Sequence, residues 1–322
     1  MTENLSVVTP LWQDRPPAEN VDVALTADKL GYPQLWIGEM ATFDAFAFAT
    51  AVGAQTKQIS LTIGPLAVAV RTPMTMAMGV ASVAALTGRK VRLAIGSSST
   101  VVVEAWHGRP RVRSAKHLDE AAIVLRGLLD GEKVNYEGEL VRSNGYHLRL
   151  DAPGANIAVA AFGPAAVRVA ARRADYMLLN LVTSASVARL RTELELAAAK
   201  AQRPMPKLAV WLTAAIDPVE ETIVQLLRAM VGYLAAPGYA EMFIEAGFEE
   251  LVELARGRPH PKQILAAMSP GVAAAVGAIG DEATVRSKIE EYRAAGADEV
   301  CIVPATAGDP GGSRTLEALR RV

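Results

Sequence analysis

The chain has 322 residues, of which 51% are hydrophobic and 21% are charged. This length and composition suit a soluble globular protein of one large domain or two smaller ones. The 33 basic and 34 acidic side chains leave a formal net charge of −1. Such a balance gives no indication of a nucleic-acid or anionic-membrane partner, so any anionic ligand has to be bound by a local group of charges.

Cysteine usage and the first residues indicate the cellular compartment. A single cysteine, Cys301, excludes an internal disulfide framework and fits a reducing cytosol. It falls inside a predicted strand, so we expect a buried structural thiol. The start, MTENLSVVTP, lacks the basic and long apolar regions of a signal peptide, and no stretch approaches the roughly 18 apolar residues of a spanning helix. We therefore expect a cytoplasmic protein without a membrane partner.

Short apolar runs alternate with segments of helical periodicity along the chain. Most runs are apolar on both faces, as in parallel strands that are covered on both sides. The predicted strands span residues 5–10, 34–39, 59–68, 91–96, 156–162, 176–182, 207–216 and 299–305. Eight strand–helix units favour an α/β fold of the (β/α)8 TIM-barrel type over a doubly wound sheet, which usually has about five to seven strands.

Two stretches exceed what a barrel needs, one after the fourth predicted strand and one after the seventh. Residues 97–155 contain a helical segment, KHLDEAAIVLRGLLDG, followed by a predicted small hairpin. Residues 217–298 predict two or three helices. Long excursions after a strand lie on the carboxyl face of a barrel, where binding and catalysis are found.

Several predicted strand ends carry residues suited to a ligand. The third strand contains Gly64-Pro65, and proline inside a strand indicates a bulge or kink. Exposed N–H groups and hydroxyls after the fourth strand suit a phosphate or the polar edge of a ring, although a plain serine-rich turn is the alternative. The Pro164 helix start suits a phosphate, and Glu39 is either a site carboxylate or a surface charge. The candidate binding residues are Glu39, Gly64, Pro65, Gly96, Ser97, Ser98, Ala161, Phe162, Gly163, Pro164 and Asn180.

No metal or nucleophile motif stands out. The four histidines, His107, His117, His147 and His260, are scattered without metal-ligand spacing. The chain has neither a G-x-S-x-G elbow nor a P-loop. We therefore expect no metal centre.

Three segments together carry a family pattern. They are LGYPQLWIGE, the long stretch from FAFATAVGAQ to LTGRKVRLAIGSSS, and AVAAFGPAAVRVAARRADYMLL. In order and spacing they resemble the bacterial luciferase-like family of flavin and deazaflavin oxidoreductases. The chain as a whole, including VVVEAWHGR and APGYAEMFIEAGF, is similar to actinobacterial members assigned to coenzyme F420. The resemblance implies one luciferase-like barrel domain over residues 1–322, with insertions at about 97–155 and 217–298.

The resemblance also gives the Gly64-Pro65 pair a role. Several deazaflavin members carry a non-proline cis peptide in the third strand, which forms a bulge behind the cofactor ring. The matching bond here is Gly64–Pro65, and an X–Pro bond adopts the cis form more readily than other peptide bonds. A cis bond is therefore expected, with a trans proline at a plain bulge as the alternative.

Departures from the family bear on the reaction. The F420-dependent sugar-phosphate dehydrogenases have an Asp-His pair after the second strand and a Glu after the fourth. This chain has Glu39-Met40 and Ser99 at those places, and methionine does not transfer a proton. The departures favour a reductase that passes a hydride to an activated C=C bond or a similar acceptor of a small-molecule substrate, with the proton coming from water or a hydroxyl. Candidate catalytic residues are Glu39, Ser99 and His107.

The loop VVVEAWHGRPRVRSAK contains a run of basic residues that could bind the anionic part of F420. The cofactor carries a phosphate and an oligoglutamate tail, which cationic side chains attract. The run comprises Arg109, Arg111, Arg113 and Lys116, and Trp106 and His107 are expected to face the substrate. A solvated polar loop is the alternative interpretation.

Two other functions remain open at this point. The first is an FMN-dependent monooxygenase of the same fold, and the second is a non-catalytic deazaflavin-binding protein. The segment TPMTMAMGVASVAAL offers a small, Met- and Ala-rich helix face suited to close packing, so a homodimer is expected.

Overall fold

The computed structural model describes residues 5–152 and 155–320. Its strands are β1 (Leu5–Val8), β2 (Gln34–Ile37), β3 (Ser60–Ala67), β4 (Val91–Gly96), β5 (Lys133–Glu137), β6 (Arg142–His147), β7 (Ile157–Ala160), β8 (Tyr176–Asn180), β9 (Lys207–Ile216), β10 (Gly277–Gly280) and β11 (Glu299–Pro304). Its α-helices are α1 (Glu19–Lys29), α2 (Ala45–Gln55), α3 (Pro73–Thr87), α4 (Ser114–Leu129), α5 (Pro164–Arg173), α6 (Ser184–Lys200), α7 (Glu220–Met230), α8 (Tyr239–Glu245), α9 (Glu249–Arg256), α10 (Pro261–Ala267), α11 (Pro270–Val276), α12 (Glu282–Ala294) and α13 (Ser313–Arg320).

One sheet contains all strands of the fold except the β5–β6 hairpin. Its order is β10-β9-β11-β1-β2-β3-β4-β7-β8, and β8 also pairs with β9, which closes the sheet. Eight of these strands coincide with the eight runs predicted from sequence, and β10 is an extra strand that pairs with the second half of β9. The (β/α)8 TIM barrel is therefore confirmed.

The chain divides into two compact units. Unit 1 comprises the described residues of Met1–Tyr32, Leu179–Arg191 and Ala209–Val322. Unit 2 comprises those of Pro33–Leu178 and Thr192–Leu208. The expectation of a single domain over residues 1–322 stays a prediction.

In unit 2, local sequence signals determine where helices begin and end. Thr72 caps α3 by accepting a hydrogen bond from the Thr75 N–H at 3.3 Å, and Gly88 ends the helix in the left-handed region at φ 67°. The next residue, Arg89, donates to the carbonyls of Gly53, Thr56 and Lys57, which follow or end α2. The arginine of the LTGRKVRLAIG segment is thus a helix anchor, because it satisfies carbonyls at the end of α2 that lack helical partners.

In unit 1, buried polar groups connect the first and last strands to their surroundings. β1 and β11 pair in parallel, with Ser6 opposite Cys301. Trp12 donates from Nε1 to the Pro304 carbonyl at 3.1 Å, and Tyr32 donates from its hydroxyl to the Leu316 carbonyl at 2.9 Å. Cys301 is buried in β11, as expected from the sequence, and its thiol donates to the Glu299 carbonyl at 3.9 Å.

The two long excursions differ from expectation in one respect. Between β4 and β7 lie a π-helical turn (Val101–Trp106), α4 and the antiparallel β5–β6 hairpin, and the hairpin was predicted. Between β9 and β11 lie six helices and β10, so the prediction of two or three helices was wrong. Three of those six helices, α8, α10 and α11, have only seven residues, too short to show a helical period clearly.

Neither a membrane span nor a metal-binding cluster is found in the part of the chain that the structure describes. No helix in residues 5–152 and 155–320 is both long and apolar enough to cross a bilayer. Within the same residues, no group of three or more His, Cys, Asp or Glu side chains is arranged to hold a metal ion.

Candidate functional site

The candidate residues of unit 2 follow the carboxyl ends of neighbouring strands. β2, β3, β4 and β7 are adjacent in the sheet, and the polar and glycine-rich segments predicted from sequence come at their ends. In a (β/α)8 barrel this edge carries binding and catalysis.

The kink expected in β3 is present as a bulge. Ile63 pairs with Leu93 and Leu66 with Ile95, so Gly64 and Pro65 together lie opposite one residue of β4. The Gly64–Pro65 bond is cis, which confirms the expectation from the family resemblance. Gly64 has φ 116°, and a Cβ placed there would lie 2.1 Å from the carbonyl oxygen of the opposing residue. The bulge therefore requires glycine at this position, and proline is tolerated beside it because the ladder is interrupted.

Glu39, which follows β2, is held by an arginine that follows β3. Arg71 donates from Nε to Glu39 Oε2 at 2.9 Å, and its second nitrogen pairs with both Glu39 and Asp44. The Ala45 N–H donates to Glu39 Oε1 at 3.2 Å. The side chains of Glu39 and Arg71 are each 22% exposed. Both oxygens of the Glu39 carboxylate are engaged, so this carboxylate is oriented by its neighbours rather than free in solvent.

The same network shifts the pKa values of its other two members. The hydrogen bonds to Glu39 raise the pKa of Arg71. Burial lowers that pKa, but the effects of Glu39 and, to a smaller extent, Asp44 outweigh it. Burial raises the pKa of the Asp44 carboxyl, but hydrogen bonds from the Ala47 N–H and Arg71 outweigh it and hold that pKa below its ordinary value. Asp44 also caps α2, since it accepts from the N–H groups of Phe46 and Ala47 at 3.0 and 2.9 Å.

Arg71 was missed in the sequence, where it was one cation among many. It lies 32 residues from Glu39 and 27 from Asp44, so no local spacing marks the contact. The available signal was its position, just after a strand and just before the Thr72-Pro73 helix start, which places it at the same sheet edge as Glu39.

The serine-rich segment after β4 forms a compact turn. Ser98 has φ 55°, and Ser99 Oγ accepts from the Val102 N–H at 3.2 Å. Arg111 returns to this turn and donates from Nε to the Ser98 carbonyl at 2.9 Å. Ser97 and Ser99 are half-buried, whereas Ser98 is exposed. Ser99 has an assigned hydrogen bond within its own turn, and its hydroxyl hydrogen remains able to donate.

The predicted basic run is largely neutralised within the chain. Arg113 pairs with Glu139, and Lys116 lies 2.5 Å from Glu139 and 3.7 Å from Glu120. These two residues therefore do not form a free cationic patch, which corrects the interpretation of all four as available cations. Arg109 is exposed and its side chain forms no ion pair or hydrogen bond within residues 5–152 and 155–320. His107 is exposed as well.

The segment after β7 opens a helix without a side-chain cap. Ala161 is buried and donates its N–H to the Leu178 carbonyl at 3.3 Å. Gly163 is the N-cap of α5, no side chain accepts from the first turn, and a Cβ on Gly163 would meet nothing within 4 Å. The N-terminus of α5 thus has no side-chain cap, and there is open space beside Gly163, an arrangement that suits a phosphate. Phe162, between them, is half-buried, and Pro164 begins the helix.

Two further polar side chains, those of Thr42 and Asn180, differ in whether they have a hydrogen-bond partner. Thr42 Oγ1, in the loop between β2 and α2, is buried and has no hydrogen-bond partner among the described residues. Asn180 belongs to unit 1, where it forms a side-chain hydrogen bond with Tyr239 of α8. The other binding candidates thus all belong to unit 2, whereas Asn180 has its partner within unit 1.

The model of the luciferase-like monooxygenase family matches residues 5–299. The chain belongs to this family. Among curated relatives, the 5,10-methylenetetrahydromethanopterin reductase of Archaeoglobus fulgidus is 24% identical over 213 residues, covering 65% of this chain and 64% of the relative. The F420-dependent glucose-6-phosphate dehydrogenase of Nocardia farcinica is 29% identical over 176 residues, covering 49% and 52%. The chain thus spans about half to two thirds of the length of the curated relatives it matches.

Among solved structures, similarity of fold extends over nearly the whole chain. The coenzyme F420-dependent tetrahydromethanopterin reductase of Methanopyrus kandleri superposes with a TM-score of 0.81 at 20% identity. The match covers 99% of this chain and 98% of that one. At this level of identity the similarity establishes the shared barrel.

Proposed function

We propose that this luciferase-like protein is an F420-dependent oxidoreductase that transfers a hydride between the deazaflavin and a small organic substrate, working as a reductase. The observation that carries the proposal is the Gly64–Pro65 bulge in β3, at the sheet edge where the family resemblance places the cofactor ring. The names of the relatives support F420 rather than FMN as the cofactor.

The residues at this edge fit such a cofactor. The bulge would lie behind the ring, and the turn after β4 with Gly96, Ser97 and Ser98 would contact its polar edge. The start of α5 at Gly163 fits the phosphate, because no side chain caps it and there is open space beside Gly163. The buried Thr42 hydroxyl without a partner in the described chain also indicates that a ligand group completes this edge. When bound, F420 supplies a two-electron hydride carrier.

The chain's own groups position the reactants and handle the proton. Arg71 holds Glu39 in one orientation, so we assign Glu39 to cofactor positioning rather than proton transfer. Met40 follows it and has no proton to give, which argues against oxidation of a sugar phosphate by this site. The Ser99 hydroxyl, held by its bond from Val102, is the side chain after β4 that can donate a proton or orient a water. His107, exposed at the end of the π-helical turn, is the other candidate.

Arg109 and Arg111 are proposed to meet the oligoglutamate tail. Arg109 has no side-chain partner in the described chain, and Arg111 uses Nε for the Ser98 carbonyl. Because both are on a loop after β4 and the tail is anionic, an exposed ionic contact is the expected form of recognition.

A homodimer in the cytoplasm is the proposed working state. On α3, Met78 is 48% exposed and Leu86 is 73% exposed, which leaves apolar surface for a second copy to cover. A chain with a single cysteine, the buried Cys301, fits a reducing compartment.

The function is tested by oxidation of chemically reduced F420 under anaerobic conditions with a panel of neutral activated alkenes. We expect turnover that is followed by the return of the oxidised cofactor's absorbance and that needs no oxygen. Oxygen-dependent product formation with reduced FMN instead would overturn the proposal in favour of a monooxygenase. Tight binding of F420 with no turnover of any acceptor would favour a non-catalytic binding protein.

A further inference from the structure

The loops after β2 and β4 concentrate exposed apolar side chains. The loop between β2 and α2 presents Met40 and Phe43, each 36% exposed. The segment between β4 and α4 presents Val101, Trp106 and Val112, which are 53%, 53% and 52% exposed. Single exposed apolar residues are ordinary on a protein surface, but five within two short loops at the functional sheet edge form a set that needs an explanation.

Most of the cationic side chains around these loops are paired with acidic side chains. Arg71 is paired with Glu39 and Asp44 after β2 and β3. After β4, Arg113 and Lys116 are paired with acidic side chains of the same unit. Of the loop's four cations in the described chain, Arg109 and Arg111 form no ion pair with an acidic side chain, and the proposed function assigns both to the anionic tail of the cofactor. An anionic substrate requires cations that are free to meet it, and this surface is poor in them.

We propose that these two loops bind a neutral, largely apolar substrate rather than a phosphorylated or otherwise anionic one. The inference rests on the proposed function, and it names the substrate class of that same site. Small-molecule sites are mostly apolar with a few polar groups that orient the ligand. Thr42, whose buried hydroxyl has no partner among the described residues, lies in the first loop and can donate to one carbonyl oxygen of such a substrate.

The test uses the full chain and prodan, a neutral aromatic ketone whose fluorescence increases in apolar surroundings. Trp106 provides an internal reporter, because it is 53% exposed, whereas Trp12 and Trp36 are at most 9% exposed and Trp211 is half-buried. The loop variant is Met40→Ser with Val112→Ser. The matched control is Leu196→Ser with Leu254→Ser, two residues that are 67% and 38% exposed and belong to α6 and α9 rather than to these loops.

We expect saturable 1:1 binding of prodan that quenches Trp106 and is insensitive to added salt, since no ion pair is involved. The loop variant should weaken this binding by about tenfold, as expected for the loss of two apolar contacts, and the control by less than about twofold. A large excess of glucose 6-phosphate should not displace the probe. F420 affinity, measured in parallel, should be unchanged in the loop variant.

Other outcomes overturn the inference. Equal weakening in the control variant would mean that prodan adheres to exposed leucines generally. Displacement of the probe by glucose 6-phosphate would mean that the site takes anions. Loss of a dimer in the loop variant, seen by sedimentation, would assign the loops to contact between two copies. If F420 itself fails to bind the unmodified chain, the proposed function fails, whatever prodan does.

Discussion

Two loops of unit 2, one after β2 and one after β4, differ in how they are held. The loop after β2 is fixed by charge, because Arg71 connects Glu39 to Asp44 and Asp44 in turn caps α2. The segment after β4 is held by local turn contacts and leaves Trp106 more than half exposed. The difference indicates that the two loops have different roles. The loop after β2 orients groups at the sheet edge, and the segment after β4 offers surface for a ligand.

The largest expected effect on stability comes from the bulge in β3, the strand between β2 and β4 in the sheet. Gly64→Ala would place a Cβ 2.1 Å from the Ala94 carbonyl oxygen at a φ of 116°. We expect the free energy of unfolding in urea to fall by on the order of 3 kcal/mol. The control is Gly232→Ala, where a Cβ meets nothing within 4 Å, and it should change stability by less than about 0.5 kcal/mol. Equal stability of the two variants would contradict the account of the bulge.

Removing the arginine should release the loop after β2. Arg71→Met leaves the half-buried Glu39 carboxylate and the exposed Asp44 carboxylate without their shared partner, so we expect a loss of about 1–2 kcal/mol of stability and weaker F420 binding. A double-mutant cycle with Glu39→Gln isolates the pair, and it should give a coupling energy of about 1 kcal/mol. Additive effects of the two substitutions would show that the ion pair does not orient Glu39.

Asp44 combines a helix cap with an ion pair, and two variants separate them. Asp44→Ala should cost about 1 kcal/mol at neutral pH because the cap on Phe46 and Ala47 is lost, whereas Asp44→Asn keeps the cap and should cost less. The folded-state pKa lies below the ordinary value of 3.8, so the stabilisation by the charge is present above that pH and is lost as the pH falls through the folded value. Urea midpoints measured from pH 7 down to about pH 3 should therefore decline less for the Asn variant than for the unmodified chain.

The smallest effects concern the basic run after β4. At low salt, Arg109→Ala and Arg111→Ala should each weaken F420 binding about two- to threefold, and added salt should reduce the difference. Arg113→Ala is the matched control and should leave the affinity unchanged, because Arg113 pairs with Glu139. A deazaflavin without phosphate and tail should respond to none of them. A loss with Arg113→Ala equal to that of the other two would restore the interpretation of a continuous basic patch.

The sequence predicts the barrel because each strand is a short apolar run with its own turn signals. It also predicts the bulge, since proline cannot donate to a ladder and the family pattern specifies the bond. β10 was missed because its four residues, GAIG, include two glycines and resemble a turn. The π-helical turn at Val101–Trp106 follows no simple apolar period, so nothing in the pattern distinguishes it from a loop.

At the candidate site, the sequence predicts several of the residues involved, but it does not predict which side chains form ion pairs with one another. Glu39, Ser99 and Gly163 could be chosen because they follow strands that end at one edge. The partners that decide their roles come from distant positions, as with Arg71 for Glu39 and Glu139 for Arg113. Long-range ion pairs depend on how loops meet in space, and one sequence without its fold does not contain that information.

The most direct test of the central claim is a pair of fluorescence titrations of the full chain, one with F420 and one with FMN. The bulge at Gly64–Pro65, the uncapped start of α5 and the F420-dependent relatives predict F420 binding at micromolar or tighter affinity, with FMN much weaker. Tighter binding of FMN than of F420 would contradict the account and assign the site to a flavin-dependent monooxygenase.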